Sequence, residues 1–254
     1  MESAKLPLSA CFIAKNEADR LPAALNAVRG LCDDIVVVVD ASTTDSTADV
    51  AAAHGARVLT RAWTGFGEQK RFAEENATNN WILSLDADEV LTPELGNEIR
   101  ALFAAAPKHN FYNIKVVDVY PGHTRPRLFA KPTNVVRLFD RRRGMTSRSA
   151  THDRAEVPVG ESVGQLDNIV LHYSIRSLDH LRGKYDSYTT LAAETQKKKS
   201  RVALAIRLLT ELPVTFVQNY FGQRHFTGGI TGLQVAGIKA YARWNRIRKM
   251  WNVA

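Results

Sequence analysis

The sequence predicts an α/β fold: a mixed, mostly parallel sheet flanked by helices, followed by a C-terminal helical extension. Three observations carry this. Apolar, β-rich runs alternate with helix signals through residues 1–106, the pattern of a sheet with helices on both faces. Three of those runs end in acids: 8–14 leads into Lys15-Asn16-Glu17, 35–39 into Asp40, and 81–85 into Asp86-Ala87-Asp88-Glu89. From Ser177 onward the strand signals give way to helix. In open α/β sheets, ligands bind beyond the carboxyl ends of the strands, so the three acidic ends are expected to converge on one phosphate-bearing ligand. Closely spaced carboxylates there suit Mg²⁺ or Mn²⁺, which take one or two carboxylates plus substrate phosphates.

The elements run in order along the chain. Strand 8–14 precedes a helix over 18–29 that Gly30 ends, and strand 35–39 comes after it. Asp45-Ser46-Thr47 supplies N-cap oxygens for a helix that runs to Gly55, a C′ glycine. Strand 57–59, helix 68–76 and strand 81–85 come next, and Thr92-Pro93 opens a helix with Thr as N-cap and Pro at N1. After Pro107 the runs 112–117, 134–139 and 169–173 read as strands of a more mixed sheet, separated by the basic loops 125–127 and 141–143. The expected organisation is therefore an α/β domain over 1–176, with one half over 1–106 and another over 107–176, and a basic helical extension over 177–254.

A chain of 254 residues, 45% hydrophobic and 24% charged, has globular composition. Cys11 and Cys32, both in apolar surroundings, are too few for a disulfide framework and read as buried thiols of a reducing compartment. Residues 1–5 do not read as a signal peptide, and no run approaches the ~20 apolar residues of a spanning helix. The net charge of +8 is unevenly placed. Residues 196–254 hold 11 Lys and Arg against one acid, Glu211, whereas residues 1–195 are near neutral. A near-neutral body with a basic tail points to an anionic surface as partner.

A dinucleotide-binding enzyme needs glycines after the first strand so that backbone approaches the pyrophosphate. Here that turn is Lys15-Asn16-Glu17-Ala18-Asp19, and no P-loop pattern occurs. Acids in place of glycines favour a metal-bridged diphosphate.

The same residues resemble a known family. Ala14-Lys15-Asn16-Glu17, the stretch Val38-Val39-Asp40-Ala41-Ser42-Thr43-Thr44-Asp45-Ser46-Thr47, and Asp86-Ala87-Asp88 are similar to the nucleotide-sugar signature of inverting family 2 glycosyltransferases of GT-A fold. Further stretches, 63–71, 83–91, Val136-Arg137-Leu138-Phe139, His152-Asp153-Arg154 and Leu171-His172-Tyr173, resemble the subgroup of lipopolysaccharide core β-glucosyltransferases. The sequence departs from the family pattern at Ser42, where Gly is usual, and at Ala41, where an acid or Ser is frequent.

The resemblance implies a GT-A sheet, a nucleotide-diphosphate sugar donor and a divalent cation, Mg or Mn. Asp88, with Asp86 beside it, is expected to hold the ion that neutralises the leaving diphosphate. Asp86 alternatively faces the ribose or sugar. Asn16 and Glu17, with Asp40, match the family's uracil and ribose contacts. Lys70 and Arg71, after the loop Gly65-Phe66-Gly67, are placed to meet phosphate at a helix start or to form a solvated helix face. Inversion by direct displacement needs a base for the acceptor hydroxyl. Asp153 matches the family's His-acid pair at that position; a salt bridge with Arg154 or Arg148 is the alternative, and Asp118 is the fallback base. His172 reads as a diphosphate or metal contact, or as a core histidine.

In the tail, Tyr241, Trp244, Ile247 and Trp251 recur at helical spacing with Lys239, Arg243 and Arg246 turned away, an amphipathic pattern expected at an anionic membrane surface. Packing on the body is the other reading of that pattern. No zinc or RNA-binding signature accompanies the charge, so nucleic acid is not an expected partner. The expectation is a cytoplasmic enzyme, peripheral on the inner face of the bacterial inner membrane, that transfers a hexose, glucose from UDP-glucose, to a lipid-linked core oligosaccharide of lipopolysaccharide. Its alternatives are a polyprenyl-phosphate sugar transferase of the same fold and a non-catalytic nucleotide- or membrane-binding protein.

Overall fold

The structure, a computed structural model, describes residues 4–149, 153–195 and 200–253. They form two compact units. One holds residues up to Val117 together with Pro132–His172; the other holds Asp118–Lys131 and everything after His172. The segment Asp118–Lys131, placed by sequence in the 107–176 half, groups with the C-terminal helices.

The first unit is built on an eight-stranded mixed sheet in the order β3-β2-β1-β4-β7-β6-β8-β5, where β1 is Leu6–Ala14, β2 Cys32–Asp40, β3 Arg57–Arg61, β4 Trp81–Asp86, β5 Glu89–Leu91, β6 Phe111–Asp118, β7 Thr133–Asp140 and β8 Val163–His172. Strands β1 to β4 pair in parallel, while β7 joins β4 antiparallel. Because successive side chains on a strand point to opposite faces, β1 divides its apolar residues between two cores. Leu8, Ala10, Phe12 and Ala14 pack with Leu21, Leu25 and Val28 of α1 (Leu21–Arg29) and with Leu95 and Ile99 of α4 (Pro93–Ala104). Cys11 and Ile13 face the other way, onto Ala73 of α3 (Phe66–Glu75). Both faces being covered explains why β1 and β2 read as unbroken apolar runs. Helix α2 (Thr47–Ala53) connects β2 to β3, and Thr92 caps α4 as expected, its Oγ1 accepting the Leu95 N–H at 3.3 Å.

Register sets where the acids emerge. Ala14 lies beside Val39, and Ile13 beside Asp86, so the carboxyl ends of β1, β2 and β4 share one sheet edge. Two pieces of sheet escaped the sequence. β5 has three residues, too short for a periodic signal, and the first half of β8 carries Gly164, Gln165 and Asp167. In that half only Gly164 and Leu166 turn inward, so its polar outer face masks a strand.

The second unit contains α5 (Leu178–Thr195), α6 (Arg201–Val217) and α7 (Gly229–Val253), and a π-helical turn, Gln218–Gly222, with a 3₁₀ turn, His225–Gly228, joins α6 to α7. Here the expected outward anchors of the tail are overturned. Ile247 is fully buried with Leu204 and Met250, and Trp251 packs on that cluster beneath the Arg201 guanidinium. Trp244 donates its indole N–H to the Leu208 carbonyl at 3.0 Å. The apolar stripe of α7 finds its partners on α6, and of the four anchors only Tyr241 is exposed.

One buried ion ties the parallel strands at their amino ends. Asp34 of β2 accepts hydrogen bonds from Ser9 Oγ (2.7 Å), Thr78 N (2.9 Å) and Arg57 Nε (2.9 Å). Burial alone would raise this carboxyl, but the bonds from Arg57, Thr78 and Ser9 outweigh it and lower its pKa to about 2. A depressed folded-state pKa contributes stability that is fully present above the unfolded value near 4 and lost as pH falls through 2. The wild-type advantage over Asp34→Asn in urea unfolding is therefore expected to be about 2 kcal/mol at pH 7. It should shrink between pH 4 and 2; a pH-independent difference would contradict the linkage.

Candidate active site

The site grows from the carboxyl ends of β1, β2 and β4. After β1 the chain turns at Asn16, which adopts a left-handed φ of 53°, a conformation Asn tolerates better than most residues. Its Oδ1 accepts the Thr44 N–H at 2.9 Å, while the Glu17 N–H donates to Thr47 Oγ1 at 2.8 Å and the Ala18 N–H to Asp45 Oδ2 at 3.2 Å. These bonds stitch the loop after β1 to the loop after β2. Asp40 anchors the second loop: its Oδ1 accepts both the N–H (2.9 Å) and Oγ–H (3.0 Å) of Ser42, and its Oδ2 meets Lys15 Nζ at 3.2 Å. The Ser42 bonds, with Lys15, hold the Asp40 carboxyl below its ordinary range. Ser42 is absent from the positive-φ residues among those described, so the loop makes no demand for the glycine that the family pattern carries there.

At the end of β4, Asp86 stands between two cations. Lys70 Nζ lies 2.7 Å from its Oδ1 and Arg137 Nη2 donates to its Oδ2 at 2.8 Å. Arg137 also binds Glu89 Oε1 at 2.5 Å, and Glu89 Oε2 accepts the backbone N–H of Asp86 at 3.0 Å. Burial would push the Asp86 carboxyl up, yet Lys70 and Arg137 pull it far below the usual carboxylate range. Glu89, more deeply buried, is raised by desolvation against the pull of Arg137. Lys70 is only 2% exposed, and its Nζ reaches a second carboxylate, Asp153 Oδ2, at 2.6 Å. Asp153 is thus joined to Asp86 through one ammonium. The salt bridge expected from Arg148 goes elsewhere, to Glu68 and Glu75. His152, the other half of the expected His-acid pair, lies outside the described residues.

Asp88 faces a different pair. Its Oδ2 accepts Arg20 Nη1 at 3.0 Å, and its Oδ1 lies 3.5 Å from His172 Nε2. Desolvation raises its carboxyl, but His172 and Arg20 outweigh it. Arg20 also makes a two-pronged contact with Glu17, Nε to Oε2 at 2.7 Å and Nη2 to Oε1 at 2.5 Å. The cross-strand pairing of Glu89 with His172 between β5 and β8 brings the histidine to this edge.

The donor atoms allow a test of the expected ion. One carboxylate oxygen and one imidazole nitrogen 3.5 Å apart suit a divalent cation that completes its shell with phosphate oxygens. Asp88 and His172 therefore fit. At Asp86 each oxygen already faces a cation, Lys70 on Oδ1 and Arg137 on Oδ2. No trio of metal-ligating side chains occurs among the described residues.

One expectation needs correction. Lys70 and Arg71 do not open their helix: α3 begins at Phe66, so both lie in its second turn, and the Gly67 N–H already donates to the Ser149 carbonyl at 3.1 Å. Gly67 is required for another reason, since a Cβ there would fall 2.0 Å from the Ser147 carbonyl oxygen. Arg71 parts from Lys70, donating to Thr146 O at 3.2 Å and pairing with Glu75 at 3.3 Å. Asp118 belongs to the second unit, where its Oδ1 accepts Ser174 Oγ–H at 3.3 Å. Sequence reasoning passed over Arg20 and Arg137. Each carried a signal: Arg20 lies three residues after Glu17, and Arg137 is a lone charge in the apolar strand Val135-Val136-Arg137-Leu138-Phe139.

The Glycosyl transferase family 2 profile matches residues 9–155, a span that includes Asp40, Lys70, Asp86, Asp88 and Asp153. This chain belongs to glycosyltransferase family 2. A glycosyltransferase of Rickettsia bellii is 35% identical over 252 residues, covering 96% of this chain and 85% of its own. The lipopolysaccharide core biosynthesis glycosyltransferase LpsC of Rhizobium meliloti is 26% identical over 233 residues, with 90% and 86% covered. Among solved structures, the mannosyltransferase PcManGT of Pyrobaculum calidifontis, in complex with GDP-Man and Mn²⁺, covers all of this chain and 89% of its own at 13% identity and a TM-score of 0.55. The TarS 1–349 complex of S. aureus with UDP-GlcNAc covers 98% and 90% at 14% identity and a TM-score of 0.51. At such identities these likenesses establish the fold, which is GT-A. The protein is a glycosyltransferase.

In this transferase Lys70 balances two carboxylates from inside the sheet unit, so its removal leaves Asp86 and Asp153 facing each other with Arg137 alone to neutralise them. Breaking one partner of a buried ion pair costs roughly 3–5 kcal/mol, and the partial exposure of both acids places Lys70→Met at the low end, about 3 kcal/mol by denaturant unfolding. Adding Asp153→Asn should recover part of that loss. A Lys70→Met protein of unchanged stability would show that the ammonium is not the counter-ion of this cluster.

Proposed function

We propose that this family 2 enzyme is an inverting hexosyltransferase that moves glucose from UDP-glucose onto a lipid-linked core oligosaccharide of lipopolysaccharide, as a peripheral protein of the inner membrane's cytoplasmic face. The observation that carries the reading is the joining of Asp153 to Asp86 through buried Lys70, beside the Asp88–His172 pair. A candidate base and a candidate cation site then belong to one strand end. The similarity to LpsC, named for lipopolysaccharide core biosynthesis, supports the acceptor class. The nucleotide-sugar complexes of the two structural neighbours are in keeping with a nucleotide-diphosphate donor.

Inversion requires the acceptor hydroxyl to attack the anomeric carbon opposite the departing diphosphate, losing its proton as the bond forms. Asp153 takes that proton on its carboxylate, and Lys70 holds the carboxylate in place by an ion pair to its Oδ2. Asn16, Glu17 and Asp40 shape the nucleotide end: Asn16 and Glu17 fix the two loops to each other, and Asp40 pins the turn at Ser42. Asp88 and His172 would hold a divalent ion, which would supply charge neutralisation for the leaving diphosphate. Arg20, fixed by Glu17 and Asp88, places a second positive charge at the same end. Arg137 and Glu89 keep the Asp86 backbone and side chain from shifting.

General-base catalysis contributes about 10²–10⁴-fold, so Asp153→Asn is expected to lose that much in kcat with UDP-glucose affinity nearly unchanged. Full activity in Asp153→Asn together with loss in Asp118→Asn would transfer the role to Asp118. Chelation by EDTA is expected to abolish turnover reversibly. Asp88→Asn and His172→Ala should each raise the Mn²⁺ concentration for half-maximal rate by at least about tenfold, by analogy with ligand-shell losses of about 10–100-fold in metal affinity. Turnover that is indifferent to EDTA would remove the cation from the reaction.

A further inference from the structure

The second unit carries an apolar surface that its own core does not explain. Along α6, Val202, Ile206, Leu209, Pro213 and Val217 recur at spacings of three and four residues, and Phe221 in the adjoining π-helical turn continues the stripe. All six are exposed, Leu209 by 81%. The opposite face of α6 is the packed one: Leu204 and Leu208 lie against Ile247, Met250 and Trp251 of α7. An amphipathic surface helix points its apolar stripe at the core; α6 has one apolar stripe in the core and a second in solvent.

A second element adds to this face. In the loop Arg125-Pro126-Arg127-Leu128-Phe129-Ala130-Lys131, Leu128 and Phe129 are exposed by 74% and 70%. Arg127 donates to the Gln223 carbonyl at 2.8 Å and to the Arg224 carbonyl, which ties the loop to the turn carrying Phe221 and Phe226. Phe221, Phe226 and Tyr220 form an aromatic cluster with ring centroids 5.1–6.4 Å apart, and Phe226 remains about half exposed. Isolated apolar side chains on a surface need no explanation, but a helical stripe of six exposed ones, with a second exposed pair tied to its end through Arg127, points to an interaction site.

The charge around the patch selects its partner. Arg125, Lys131 and Arg224 border it in the same loop and turn, with Lys131 and Arg224 exposed. The acid nearest in sequence to the stripe, Glu211, is engaged by Arg207 at 2.8 Å and Arg243 at 2.7 Å. A patch rimmed by cations repels a second copy of itself and attracts an anionic bilayer, where aromatic and aliphatic side chains enter the headgroup boundary while Arg and Lys meet lipid phosphates. No helix is long and apolar enough to cross a membrane among the described residues, so the contact is interfacial. We propose that the outer stripe of α6, together with the Leu128–Phe129 loop and the Phe221–Phe226 turn, is the surface by which this protein sits on anionic membranes. This deepens the membrane-peripheral part of the proposed function and rests on it.

The test is flotation of the full chain with phosphatidylcholine vesicles, with and without phosphatidylglycerol, alongside Ile206→Ser/Leu209→Ser, Leu128→Ser/Phe129→Ser and Tyr241→Ser. Wild type should float with anionic vesicles, less so as salt rises, and not with neutral ones. Each double variant, altered only at exposed positions, should bind at least about tenfold more weakly, while Tyr241→Ser on α7 should bind as wild type. Double variants that float like wild type would overturn the assignment of the surface while leaving membrane binding intact. A wild type that never floats at low salt would overturn the membrane reading and this proposal together, leaving turnover of UDP-glucose to be judged by its own assay. Self-association lost in the same variants, without flotation, would assign the face to a second copy and overturn it as well.

Discussion

An ammonium group shut inside an α/β sheet unit must be matched by anions held at fixed distance, because water is not there to do it. Lys70 meets two, Asp86 at 2.7 Å and Asp153 at 2.6 Å. Asp86 is in turn fastened by Arg137, and Arg137 by Glu89, which also accepts the Asp86 backbone N–H. Helix α3 and strands β4, β5 and β7 each contribute to this chain of charges, along with the segment that carries Asp153. Side-chain positions at the end of β4 are therefore determined electrostatically as well as by packing. Such a network is costly to break at any one member, and it keeps Asp86 and Asp153 in a mutual geometry that apolar contacts alone would not specify.

The neighbouring group is organised differently. Asp88 is held by Arg20 on one oxygen and stands near His172 on the other, and Arg20 is shared with Glu17. The two acids of the Asp86-Ala87-Asp88 motif thus answer to separate sets of cations. Asp86 is held by Lys70 and Arg137 on its two oxygens, whereas Asp88 has the smaller charge set of Arg20 and the His172 imidazole. Two residues apart in sequence, they diverge because the strand ends at Asp86 and its pleat no longer dictates the direction of Asp88.

The helical unit divides its apolar surface between a packed interior and an exposed face. In α7 the aromatic and aliphatic residues that alternate with cations turn toward α6. Among the described residues, nothing within the unit covers the outer side of α6. An amphipathic period in a basic tail does not distinguish a helix that packs from one that meets a lipid surface, since both need one apolar stripe.

From the sequence alone came the alternation of strands and helices in the first unit, the capping of α4 by Thr92, and the convergence of Glu17, Asp40 and Asp86 on one sheet edge. Each depends on local periodicity, on a capping residue or on the parallel order that βα alternation imposes. The motif residues of the family were legible for the same reason, being contiguous in the chain. What the sequence left undecided involves partners far apart in it. Lys70 could have been a solvated helix residue until the fold carried it under Asp86 and Asp153. Arg137 looked like an interruption in a strand until β7 set it beside the end of β4. Asp153 had two arginines close in sequence, yet its counter-ion proved to be a lysine 83 positions earlier. Strand β5 was too short to carry a period, and the direction of the α7 stripe depended on which face α6 offered. Local periodicity determines what each segment becomes; which charges and apolar faces meet is decided only when segments distant in the chain compete for the same partners.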